Sequence, residues 1–178
     1  CSEIILRNKQ FCNLTEVVVR PNDSWIDLER KVELATILGT FQATLTNFRY
    51  LTKSWKDNTE EEALLGVSLT GIMDNKKMYQ GDNLPRRLQN FKNVSVAKNK
   101  EWAKKLGIKQ SAAITCVKPS GTVSQLVDSA SGIHTRHSEY YLRTVRADKK
   151  DPIAQLMVDQ GVYHEDDITK PDHTLVFY

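Results

Sequence analysis

The run FCNLTEVVV, residues 11–19, is apolar and β-branched enough for a buried strand, and Arg20-Pro21-Asn22-Asp23 behind it supplies a turn. Ser24 can cap the helix that follows. Leu28, Val32, Ala35 and Leu38 recur at helical spacing, and Leu34, Ile37, Phe41, Leu45 and Phe48 widen the stripe. That pattern predicts a helix from about Trp25 to Tyr50 packed against a sheet. Thr59-Glu60-Glu61-Glu62 reads as a short helix start, with acids near its positive end. Residues 66–71, GVSLTG, read as a short strand. A second long helix is expected from Leu84 to Leu106, ended by Gly107. SAAITCV, residues 111–117, reads as a third strand running straight into KPSGTVS, residues 118–124. YYLRTVR, residues 140–146, is strand-like, Asp151 to Gln160 is a helix with Pro152 in its first turn, and TLVFY at the end is a strand barely begun. This rhythm predicts the α/β class with a mainly parallel sheet. No internal repeat interrupts it.

The chain has 178 residues, of which 40% are hydrophobic and 26% charged, the make-up of one globular domain with a core of its own. No apolar run approaches the roughly 18 residues of a membrane span, and no charged-then-apolar leader is visible. The expectation is a cytoplasmic protein with reduced cysteines. Three cysteines, Cys1, Cys12 and Cys116, are an odd number, and none has zinc-ligand spacing. The net charge is a mild +3. Basic residues bunch between Lys76 and Lys109, opposed there only by Asp82 and Glu101. They read as a solvated helix face; the competing reading is an anion or nucleic-acid surface, for which aromatic interleaving is sparse.

Two stretches carry chemistry. In KPSGTVSQLVDSASG a strand leads through small residues into a helix start. Exposed N–H groups there suit an anion, Gly121 lets a phosphate come close, and Ser120, Thr122 and Ser124 add hydroxyl donors. It is not a P-loop, because no G-x-x-x-x-G-K is present. The competing reading is a plain capped turn. The second stretch is the opening CSEIIL. Cys1 with Glu3 two residues on is a plausible radical or acid/base pair, and Cys1 and Cys12 could meet across a loop and a strand. Against this stands the reading of both cysteines as small buried hydrophobes.

Taken together and in this order, these stretches resemble the catalytic half of a ribonucleotide reductase large chain. CSEIIL followed by FCNLTEVVV looks like the family's Cys-x-Glu finger loop and strand cysteine, and KPSGTVSQL looks like its substrate-phosphate loop. SGIHTRHSEYYLRTVR looks most like the adenosylcobalamin-dependent ribonucleoside-triphosphate reductases. The resemblance implies a ten-stranded α/β barrel, of which residues 1–178 hold a later part as one partial catalytic domain. It implies that Cys1 becomes a thiyl radical and abstracts the ribose 3′-hydrogen. Glu3 is then the general base for the 3′-hydroxyl, and Cys12 is one of two cysteines that supply reducing equivalents. Ser120, Gly121, Thr122, Val123 and Ser124 form the cradle for the substrate phosphates. The implied cofactor is adenosylcobalamin, bound mostly outside this chain. The implied partners are a ribonucleoside triphosphate and a thioredoxin-type reductant, with no nucleic acid or membrane, in a full-length monomer. The partner of Cys12, the allosteric site and the cysteine tail are not in the sequence. Chain ends cut from a longer gene, or a protein-splicing junction at Cys1, are the expected reasons, and the isolated piece is expected to be inactive. Cys116 matches no catalytic cysteine and is read as core. His134 and His137 follow the loop but are read as surface or structural. Arg143 and Arg146, at odd spacing on one strand-like run, do not look like a shared ligand clamp. An N-terminal-nucleophile hydrolase using Cys1, or a nucleotide-phosphate-binding fragment without activity, are the alternatives.

Overall fold

Two strands and an extended segment form the sheet that organises the first part of the computed structural model, which describes residues 4–81 and 83–178. Strand β1, Asn13–Val18, pairs in parallel with β2, Leu65–Thr70, with Asn13 opposite Leu65 and Val18 opposite Thr70. The expected third strand is an extended segment on the other edge of β2. Leu65 N–H donates to Ala113 O at 3.0 Å, Val67 N–H to Ile114 O at 2.8 Å, and Cys116 N–H to Val67 O at 3.1 Å. A single parallel bridge, Val67 to Thr115, marks the pairing. The ladder stops there because Lys118 N–H turns to Ser68 Oγ, at 2.9 Å, and Pro119 has no N–H to give.

Helix α1, Trp25–Gln42, starts on a capping box: Ser24 Oγ accepts from Asp27 N–H and the Asp27 carboxylate accepts from Ser24 N–H. Its buried line is Leu28, Val32, Ala35, Thr36, Gly39 and Thr40. Helix α2 is Lys53–Glu62, α3 is Lys76–Gln80 and α4 is Leu84–Leu106. Val17, Val19, Leu65 and Val67 from the sheet meet Leu28, Val32 and Ala35 of α1 and Phe91 of α4 in one core. Each fully buried aliphatic or aromatic side chain there contributes roughly 1.5–3 kcal/mol.

Three expectations are corrected. Helix α1 ends eight residues before Tyr50, because Thr44 turns its hydroxyl to Phe41 O at 2.7 Å and the Thr-Leu-Thr-Asn run favours turns. Leu38, expected in its buried line, and Leu34, Phe41 and Leu45, expected to widen that line, are exposed. Glu60–Glu62 close α2 rather than open it; Arg7 lies 2.9 Å from Glu61 and 3.3 Å from Glu62, and Lys56 meets Glu60.

Helix α4 spans the expected residues and stops at Gly107, whose φ of 69° is the left-handed conformation of a helix end. Its cations are solvated or paired: Lys105 lies 2.6 Å from Glu101, and Arg87 sits over the Trp25 ring.

The chain divides into two compact units, the first ending at Arg136 and the second being His137–Tyr178. Helix α5, Thr122–Leu126, belongs to the first. In the second, β3 (Val145–Asp148), β4 (His164–Asp166) and β5 (Thr174–Phe177) pair antiparallel in the order β3-β5-β4. Helix α6, Pro152–Asp159, packs Ala154 against Leu175 and Phe177. The parallel arrangement is therefore confined to the first unit.

Candidate active site

Strand alternation divides the first sheet into two chemically different faces. Thr15 and Leu65 face α1, where Gly39 lets the helix approach: a Cβ there would stand 3.4 Å from both side chains. Leu14 and Glu16 of β1 and Gly66, Ser68 and Thr70 of β2 take the opposite face. Gly66 is the hollow of that face. A Cβ on it would collide with Leu14 and would stand 2.9 Å from both Cys116 Sγ and Ile4 Cδ1. Cys116, expected in the core, is instead half-buried on this face. Ile4 brings the residues that follow the Cys-x-Glu motif onto the same face. Cys1 and Glu3 themselves lie outside the described residues.

The loop of residues 118–124 crosses this face. Lys118 Nζ lies 2.6 Å from Glu16 Oε2, and Ser120 Oγ donates to Glu16 Oε1. The Glu16 side chain is only 10% exposed and that of Lys118 20%, so the pair is largely withdrawn from water. Ser120 and Ser124 are buried, and Ser124 Oγ donates to Gly121 O at 2.6 Å. Two of the three hydroxyls offered by the sequence as ligand donors, those of Ser120 and Ser124, are thus engaged within the protein. Gly121, Thr122 and Val123 are exposed between them, and nothing stands within 4 Å of a Cβ placed on Gly121.

Behind α5, residues 129–132 return to the carboxyl end of β2, the end where parallel α/β sheets place their ligands. Gly71 N–H donates to Ala130 O at 2.9 Å, and Gly132 N–H to Thr70 Oγ1 at 2.7 Å. Ser131 Oγ donates to Ser120 O, joining this return to the loop. Arg136 clamps the far side, 3.0 Å from Asp74 and 2.8 Å from Asp128. Hydrogen bonds to Asp74 and then Asp128 push the Arg136 guanidinium further toward its charged form, and its hydrogen bond holds Asp128 below the usual carboxylate range.

Cys12 precedes β1 and is half-buried, lining a cleft of about 270 Å³ with Phe11, Ala43, Phe48 and Thr59. It lies four residues before Glu16, roughly 13 Å along an extended chain. The segment leading to it is clamped to α2. Gln10, 3% exposed, donates to Glu62 at 2.6 Å and Asn58 O at 3.1 Å, and Phe11 N–H donates to Thr59 Oγ1 at 3.2 Å. Sequence reasoning missed this clamp, and it missed Glu16. A lone carboxylate inside the β-branched run LTEVVV was the available signal for Glu16, since such a run buries both faces.

The fold of this chain is that of a segment of a class II ribonucleotide reductase. It superimposes on the crystal structure of a B12-dependent (class II) ribonucleotide reductase with a TM-score of 0.66 and 23% identity, over 99% of this chain and 28% of that one. In sequence it resembles adenosylcobalamin-dependent ribonucleoside-triphosphate reductases along nearly its whole length. The protein of that name from Lactobacillus helveticus is 25% identical over 196 residues, covering 94% of this chain and 26% of its own length. The one from Euglena gracilis is 25% identical over 182 residues, 99% of this chain and 24% of its own. The chain thus spans about a quarter of the length of these relatives. No family model matches it.

Among the described residues no group of three or more histidine, cysteine or acidic side chains could hold a metal ion. Clefts of about 270 to 470 Å³ in the first unit are of the size that holds drug-sized ligands. No described helix is long and apolar enough to cross a membrane.

Proposed function

We propose that this chain is part of the catalytic barrel of an enzyme that reduces ribonucleoside triphosphates to 2′-deoxyribonucleoside triphosphates by thiyl-radical chemistry. The observation that carries this reading is the convergence on one sheet face: the segment after Cys-x-Glu, through Ile4, and the 118–124 loop both lie there. The similarity to named reductases over nearly the whole chain supports it. The exposed run Gly121–Val123 receives the phosphates. Buried Ser120 and Ser124 shape that run from behind, and the open space at Gly121 lets an oxygen approach the backbone.

On this reading Cys1, as a thiyl radical, takes the ribose 3′-hydrogen and returns it at the end of the cycle. Glu3 takes the 3′-hydroxyl proton, which assists departure of the 2′-hydroxyl as water. Cys12 and a second thiol outside this chain supply two electrons and two protons and become a disulfide, which a thioredoxin-type reductant reopens. Adenosylcobalamin would generate the radical from a site outside the described residues. The protein works in the cytoplasm as a monomer.

The test is turnover of a ribonucleoside triphosphate by the protein expressed from its complete open reading frame, with and without adenosylcobalamin, beside Cys1→Ser. Cobalamin-dependent deoxynucleotide formation that the variant loses is the expected result. A folded protein with no turnover in either condition refutes the reading.

A further inference from the structure

We propose that Glu16 is a positioning residue that acts through Lys118 and Ser120. The three form a latch that holds the 118–124 loop against the sheet, and without it the exposed run Gly121–Val123 loses its set shape. The proposal deepens the functional reading above and rests on it for the identity of the ligand.

A carboxylate in the middle of a strand is costly to bury unless it is both paired and hydrogen-bonded. Glu16 meets both conditions, and each of its oxygens has a separate task. Oε2 takes the Lys118 ammonium at 2.6 Å, and Oε1 accepts from Ser120 Oγ. The gripped residues flank Pro119, whose ring fixes φ. Lys118 is held a second time through its own N–H, which donates to Ser68 Oγ at 2.9 Å on the neighbouring strand. The loop is thus tied to β1 and β2 immediately before it emerges at Gly121. Lys118 also lies 3.2 Å from Pro119 O, so its ammonium points back into the latch. It does not serve as the phosphate-facing lysine of a P-loop. The phosphate charge is left to backbone N–H groups and the Thr122 hydroxyl.

A rival role follows from the same residues. If Lys118 were a phosphate ligand merely held in check by Glu16, neutralising Glu16 would release it and tighten binding. The two roles predict opposite signs for one substitution.

The experiment uses the protein from its complete open reading frame, as wild type, Glu16→Gln, Lys118→Met and the double variant. Amide hydrogen exchange is followed in peptides covering residues 118–124 and, as a fold control, residues 65–70. The latch predicts at least tenfold faster exchange at the Lys118 amide, whose N–H is held by Ser68 Oγ, in each single variant, with the double variant no faster than the worse single. Exchange in residues 65–70 stays as in wild type. KM for CTP rises about tenfold in both single variants, with kcat within threefold of wild type. Additive exchange effects, equal loss of protection in residues 65–70, or a lower KM in Glu16→Gln each overturns the proposal. A wild-type protein that does not turn over CTP would count against the functional reading, and the exchange pattern would still decide the latch.

Discussion

Asn99 is fully buried in α4 and is the polar joint of the first unit. Its amide donates to Thr40 Oγ1 on α1 and to Ser111 Oγ, both at 3.0 Å, and its carbonyl accepts from Ser111 N–H at 3.0 Å. Ser111 begins the segment that leads into the loop of residues 118–124, so one side chain ties two helices to that segment. Asn99→Ala removes three hydrogen bonds worth about 1 kcal/mol each and leaves the buried Ser111 N–H without its acceptor, so a loss of at least about 3 kcal/mol is expected. At about 1.4 kcal/mol per decade, that is roughly a hundredfold faster amide exchange. The assay is native-state exchange of peptides covering residues 111–117. Asn99→Leu keeps most of the volume and loses the same bonds, so it should fall close to Asn99→Ala. Exchange within threefold of wild type in Asn99→Leu would refute the hydrogen-bond argument and leave only packing.

Gly71 has a φ of 73°, and a Cβ on it would stand 2.7 Å from the Val19 carbonyl; Gly107 has a similar φ of 69° with nothing within 4 Å. Gly107→Ala should therefore show only the left-handed penalty of about 1–2 kcal/mol, and Gly71→Ala clearly more, measured as the difference in urea midpoint. Ser24→Ala removes half of the capping box and should lower stability by about 1 kcal/mol in the same assay, with the loss confined to the first unit. In the second unit, hydrogen bonds from Thr169 and then Arg146 hold the Asp167 carboxyl well below its ordinary range. A depressed folded-state pKa means stability that is present above the unfolded value of about 3.9 and lost as pH falls below it. Asp167→Asn should flatten that acid limb in melts taken between pH 7 and pH 2; an unchanged limb would show that another group governs it.

The apolar, β-branched run FCNLTEVVV and the helical spacing from Leu28 onward were enough to announce a strand and a helix, and Leu84 to Leu106 was legible to both ends. Such elements are readable because their periodicity and caps are local. The loop of residues 118–124 was visible for the same reason: an extended segment, small residues and a helix start lie next to one another in the chain. The resemblance of Cys1-x-Glu3, Cys12 and the PSGT loop to one family was likewise a property of order and spacing. The sequence could not say which helix face would be covered, and Leu34 and Leu38 stayed exposed because only the Leu28–Val32–Ala35 line meets the sheet. Nor could it say that Glu60–Glu62 close a helix, since the charges of Glu61 and Glu62 answer to Arg7, more than fifty residues away. Glu16 and Lys118 are 102 residues apart, and nothing local links them. Only parallel pairing, which sets β1 and the segment of residues 113–117 on either side of β2, brings that carboxylate under the loop, turning an isolated charge in a strand into the partner of Lys118 and Ser120.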